Sequence, residues 1–202
     1  MNMMLEKQMV ARRRMPDPRS PGVFEMLHGC HDDIRTQLDL LEEVGTALSS
    51  ATYFSRRNLA ALYGSLAFLH VVIPLHSEDE EDTLFPELVR VDPLGARMHL
   101  AFEGLRENHR NHGVLELRLE IAVLMRDART AGRLALEIVE ETREHLTQEE
   151  ETLFPRAERV LTDEDLLDEL AEEIRERHAD PGSIPVRPFP SPASLADLLA
   201  RQ

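Results

Sequence analysis

One segment occurs twice in this chain, and it limits the fold more than any other feature. His76-Ser-Glu-Asp-Glu-Glu-Asp-Thr-Leu-Phe-Pro86 is matched by His145-Leu-Thr-Gln-Glu-Glu-Glu-Thr-Leu-Phe-Pro155, with seven of eleven positions identical at an offset of 69 residues. Residues four apart share one face of a helix. His76 and Glu80 therefore point the same way, as do His145 and Glu149, and each pair continues the apolar stripe of its helix (Leu62, Leu66, Leu69, Val72 and Ile73 before the first). A weaker echo relates His28-x-x-His31 to His109-x-x-His112. Helices one and two then form a hairpin, and helices three and four a related one. The expected fold is all-α: an antiparallel up-down four-helix bundle with an additional C-terminal helix.

Composition agrees. Apolar residues make up 42 % of 202 residues, there is no Trp and only two Tyr, and the abundant Leu, Ala, Glu and Arg are helix formers. The division expected is a flexible basic arm over 1–20, the bundle over 21–160, an additional helix over 161–179 capped by Thr162 or Asp163, and a proline-rich tail over 180–202. Within the bundle, helices are expected from Pro21 to about Leu48, Phe54 to Val89 (with Pro74 inside), Leu94 to Asp127 and Leu134 to Val160. A short connection is expected near Arg129–Gly132.

The formal net charge of −15 disfavours a nucleic-acid partner, because phosphate binding needs a basic face. The single cysteine, Cys30, rules out a disulfide framework within the chain and reads as a small packed side chain. No apolar core follows the basic residues Lys7 and Arg12–Arg14, and no apolar run is seen to approach the ~20 residues that span a bilayer. The expectation is a cytoplasmic protein with no membrane partner, whose C-terminal tail offers a segment for a protein partner.

A lone His-x-x-x-Glu is ordinarily a surface contact. Two copies on inward stripes are different: buried carboxylates are costly unless paired or metal-bound, and two such pairs face to face make a layer of anions and imidazoles that cations would hold together. Mixed imidazole and carboxylate donors suit iron, manganese or zinc rather than calcium or magnesium. His76, Glu80, His145 and Glu149 are the core ligand candidates. His31 is central on the first stripe, with His28 ~60° aside. On the third helix, stripe position and register favour His112, with a level mismatch to His145 of roughly 3 Å against 7 Å for His109 at ~1.5 Å per residue. Glu116, four beyond His112, reads as a salt-bridge partner, and His70, His99 and His178 as peripheral or surface groups.

These motifs resemble the hemerythrin-like, or HHE cation-binding, family over about residues 22–160. That family has a His on its first helix, H-x-x-x-E on its second, a His on its third and H-x-x-x-E on its fourth, often running into Leu-Phe-Pro, as Leu84-Phe85-Pro86 and Leu153-Phe154-Pro155 do here. Leu27-His-Gly-Cys-His31 is similar to its first-helix pattern. Leu105-Arg-Glu-Asn-His109 is similar to its third-helix L-x-x-E-H, with Asn108 in place of Glu, and points to His109 where register points to His112. The resemblance implies a di-iron site binding dioxygen or another small gas, in carriage or sensing of O2, NO or iron. A di-iron oxidase, ferroxidase or peroxidase is the alternative, since both would use the same ligands.

Overall fold

In the computed structural model, residues 20–91 and 95–179 are described; the proline-rich tail, and all of the N-terminal arm but Ser20, lie outside them. The described chain is helical: α1 (Val23–Ser49), α2 (Arg56–Glu78), α3 (Phe85–Val91), α4 (Gly95–Leu124), α5 (Ala128–Gln148), α6 (Phe154–Val160) and α7 (Glu164–Ala179). Two wide π-helical turns, Asp79–Leu84 and Glu149–Leu153, join α2 to α3 and α5 to α6. α1 packs on α2 and α5, and α4 packs on α5 and α2, which makes the four-helix bundle.

The helix starts follow local chemistry. Ser55 Oγ accepts from the Asn58 N–H at 3.1 Å, Asp127 Oδ1 from Thr130 N–H at 3.0 Å, and Asp163 Oδ1 from Asp165 N–H at 3.1 Å, each satisfying a donor the helix itself cannot. One expected boundary moves. The α4–α5 connection is residues 125–127, with Arg126 in the left-handed region (φ 59°), and Arg129–Gly132 lies inside α5. Gly132 is thus not a turn residue. It lets α5 approach the end of α1 so closely that a Cβ there would sit 2.3 Å from Ser49 N and 2.6 Å from Leu48 C.

The wide turns were not expected from the hydrophobic pattern. In each, a residue is added to the helical turn: Phe85 N–H bonds to Glu80 O and Phe154 N–H to Glu149 O. Pro86 and Pro155 follow at once. In an unbroken α-helix their rings would strike the carbonyls four residues back, and the wide turn relieves that crowding. Such turns recur at functional sites, and here both begin at or beside a carboxylate of the repeated motif.

The core is split in two. One apolar cluster runs from Ile34, Leu38 and Ile73 through Leu115 and Leu119 to Leu146 and the α4–α5 turn. The other gathers Leu27, Leu84, Phe85, Phe102, Leu105, Leu153 and Phe154, and is closed by Leu170, Ala171 and Ile174 of α7. Between them lies a buried polar layer. The expectation that no apolar run approaches membrane length is corrected: Arg56–Val91 contains an 18-residue window of mean hydropathy 1.6, long and apolar enough by composition to cross a bilayer. Over half of that window is buried inside the bundle, as befits a core helix.

Gly132→Ala should lower stability by at least ~1–3 kcal/mol, because the obstructing atoms are backbone. Gly64→Ala, with nothing within 4 Å of the added Cβ, should change it by under ~1 kcal/mol and in the stabilising direction. Denaturant midpoints at constant slope measure both.

Candidate metal centre

The polar layer is built from the two wide turns and the two helices opposite them. His76 and His145 come from the last turns of α2 and α5, Glu80 and Glu149 from the wide turns, His31 from α1 and His109 from α4. They form two groups. In each, one nitrogen or oxygen per residue lies within 4.8 Å of the others: His31, His76, Glu80 and Glu149 in one, and Glu80, His109, His145 and Glu149 in the other. The two carboxylates are common to both, and both are 0 % exposed.

The ring orientations are fixed from outside the layer. His31 Nδ1 donates to Glu150 Oε1 at 2.9 Å, and Glu150 is held by a two-pronged contact from Arg35, 2.7 Å at each oxygen. His109 Nδ1 donates to Glu81 Oε1 at 2.6 Å, braced by Arg106 at 3.3 Å. Both imidazoles thereby turn Nε2 inward, the arrangement by which an outer carboxylate orients a metal-binding histidine. His31 Nε2 lies 3.0 Å from His76 Nε2, and His109 Nε2 lies 2.9 Å from His145 Nε2. Glu149 Oε1 lies 2.8 Å from His145 Nε2, and its Oε2 lies 3.4 Å from His31 Nε2. All four carboxylate oxygens of Glu80 and Glu149, and Nδ1 of His76 and of His145, have no hydrogen-bond partner though buried.

Such a layer is poorly satisfied by protein alone. Burial, then the charge of Glu149, holds Glu80 well above the usual carboxylate range. Burial acts on Glu149 in the same direction, but the surrounding imidazoles of His109, His145, His31 and His76 outweigh it and hold Glu149 well below that range. Converging nitrogen and oxygen atoms and buried carboxylate oxygens without a hydrogen bond fit one remedy, a pair of cations set among nitrogen and oxygen donors.

His112 is not brought to either group, so the register argument that put it forward is corrected. His145 lies 17 residues after the start of α5, while His109 and His112 lie 15 and 12 residues before the end of α4. The true turn gives His109 a mismatch of roughly 3 Å and His112 roughly 8 Å. His112 is engaged elsewhere: Nε2 donates to Glu116 Oε1 at 3.2 Å and Thr142 Oγ1 donates to Nδ1 at 3.1 Å. His70, expected to be peripheral, is buried and donates from Nδ1 to Glu116 Oε2 at 3.3 Å. His178 is exposed, as expected, and pairs through Nε2 with the buried Asp79 Oδ2 at 2.7 Å. His28 stays outside, 3.8 Å from Glu158, and His99 is exposed.

Glu81, Glu150, Arg35 and Arg106 were missed by sequence reasoning, although one signal was present: each repeat carries Glu-Glu, not a single Glu, four residues after its His. Cys30, one residue from His31, is partly buried, and burial followed by the carboxylates of Asp79, Asp33, Glu80 and Glu149 pushes its thiol up to about 12.

A helical bundle with two buried His/Glu groups sharing two carboxylates defines the class: a metal-binding bundle protein. The hemerythrin HHE cation-binding domain matches residues 22–157, about two thirds of the chain, and the protein belongs to that family. Neither curated proteins nor solved structures gave a match.

Glu81→Gln and Glu150→Gln should each lower metal affinity by ~10–100-fold, measured by competition with a chelator, while Glu151→Gln, which is exposed, leaves it unchanged. Iodoacetamide should alkylate Cys30 at pH 8 at least about tenfold more slowly in the native chain than in the unfolded one, because only the thiolate reacts.

Proposed function

We propose that the chain holds a di-iron centre and uses it to bind dioxygen or a related small ligand, as a carrier or a sensor of O2, NO or iron. The observation that carries this is the sharing of Glu80 and Glu149 between two histidine pairs. A single-ion site has no use for both pairs, whereas two ions do. Four donors complete a tetrahedral ion but leave a six-coordinate one with open positions, which favours iron or manganese over zinc. Bound iron would supply electron exchange with a small molecule held at an open position.

The protein's own groups support binding. Glu150 with Arg35, and Glu81 with Arg106, keep His31 and His109 in the tautomer whose Nε2 faces inward. Leu27, Leu84, Leu105 and Leu153 on one side, and Ile34, Ile73 and Leu146 on the other, keep the layer between apolar walls, which limits water and stray proton donors. The oxidase, ferroxidase or peroxidase alternative has one observation in its favour: a cavity of about 320 Å³ whose lining includes His76, His109 and His145, through which a co-substrate could arrive.

Anaerobic loading with Fe(II) should give two irons per chain, and Glu80→Ala or Glu149→Ala fewer than one. Admitting air should change the visible spectrum, and removing oxygen should restore it. Sustained consumption of added Fe(II) or peroxide would instead establish the enzyme, and under one metal per native chain would sink the di-metal proposal.

A further inference from the structure

The two histidine pairs are related by the repeat, but their surroundings are not. In the first copy the residue before the shared Glu is Asp79, and in the second it is Gln148. Asp79 is 1 % exposed. The end of α7 covers it: Arg177 reaches Asp79 Oδ1 at 2.5 Å and Thr83 Oγ1 at 3.1 Å, and His178 reaches Asp79 Oδ2. Gln148, by contrast, lines the cavity. The side-chain exposures follow the same division: 0 % and 2 % for His31 and His76, against 9 % and 10 % for His109 and His145. Both histidines of the second group, and of the first group only His76, border open space, while His31 is closed off.

That space has a definite chemistry. Its walls come from α2, α4 and α5, and they include Glu141 and Glu144, both exposed, together with the amides of Asn108, Asn111 and Gln148. Among the described residues no Lys or Arg lines it. His76, His109 and His145 belong to both the cavity and the ligand groups, and the buried Nδ1 atoms of His76 and His145 are unpartnered. A volume of about 320 Å³ has room for several waters. A diatomic gas needs a small part of that volume and no oxygen donors. An ion carrying its water shell needs both.

We propose that this cavity is the loading route for hydrated divalent cations, and that it fills the Glu80–His109–His145–Glu149 group before the Glu80–His31–His76–Glu149 group. The proposal rests on the metal-pair reading of the layer and assigns it a direction. Glu141 and Glu144 raise the local cation concentration at the mouth, as carboxylate-lined clefts do. The amide oxygens replace shell waters on the way in. The shared carboxylates Glu80 and Glu149 then pass an ion from the outer histidine pair to the inner one, because they belong to both groups.

The test uses the full chain stripped of metal and Co(II) alone as the probe, with visible absorption followed by stopped flow and final stoichiometry by metal analysis. Loading should be biphasic. Glu141→Gln combined with Glu144→Gln should slow the fast phase by about tenfold at low ionic strength, with two ions still bound at the end. Asn111→Trp, which fills the mouth, should slow both phases. His31→Gln should keep the fast phase and His109→Gln should lose it. Arg177→Met, which releases the α7 latch, should leave the fast phase unchanged. Unaltered rates in both the Glu141/Glu144 and Asn111 variants, with two ions bound, would overturn the route. A fast phase lost in His31→Gln but kept in His109→Gln would overturn the order. Failure of the native chain to bind two ions would instead strike the metal-pair reading itself.

Discussion

The whole bundle is organised around two carboxylates, Glu80 and Glu149, that sit fully buried in one layer. An unpaired buried anion costs several kcal/mol, and a second anion in the same layer adds to that cost. No apolar packing could compensate at that point. Instead the structure surrounds the pair with four imidazoles, while none of their oxygens makes a well-formed hydrogen bond. The core divides into two apolar clusters above and below, because the layer admits no hydrocarbon of its own.

The outer contacts exchange between hairpins. Glu150, from the second hairpin, holds His31 of the first, and Glu81, from the first, holds His109 of the second. Each repeat therefore contributes one carboxylate to the layer and the next one to the opposite helix. Arg35 and Arg106 fix those outer carboxylates in turn, and the two-pronged Arg35 contact holds Glu150 down at about 2. The layer, its orienting shell and the packing of the hairpins are one interaction network, so a change in one part is felt in the others. The exception to the symmetry is α7, which latches Asp79 on one side and has no counterpart at Gln148 among the described residues.

How much of the site was legible depends on how local its geometry is. His76 with Glu80, and His145 with Glu149, are four-residue relations within a helix, and the spacing alone puts each pair on one face. His31 followed from its place on an apolar stripe. The choice between His109 and His112 depended on where α4 ends and α5 begins. Gly132 suggested a turn there, whereas it is a point of close approach between α5 and α1. The helix periodicity also hid the wide turns, although Pro86 and Pro155, each directly after a buried Phe, required some departure from α-geometry.

By itself the sequence determined the helical class, the two hairpins and the pairing of His76 with Glu80 and of His145 with Glu149 on one helix face each, because all of these are set by contacts within a few residues along the chain. Only the tertiary structure decided the rest: that His109 enters the layer while Glu116 and Thr142 engage His112, that Glu81 and Glu150 reach across to the facing hairpin, and that α7 covers Asp79 beside the layer. Adjacent residues on a helix diverge by ~100°, so whether Glu81 or Glu150 finds a partner depends on what another helix brings opposite it. No spacing within a single helix carries that information.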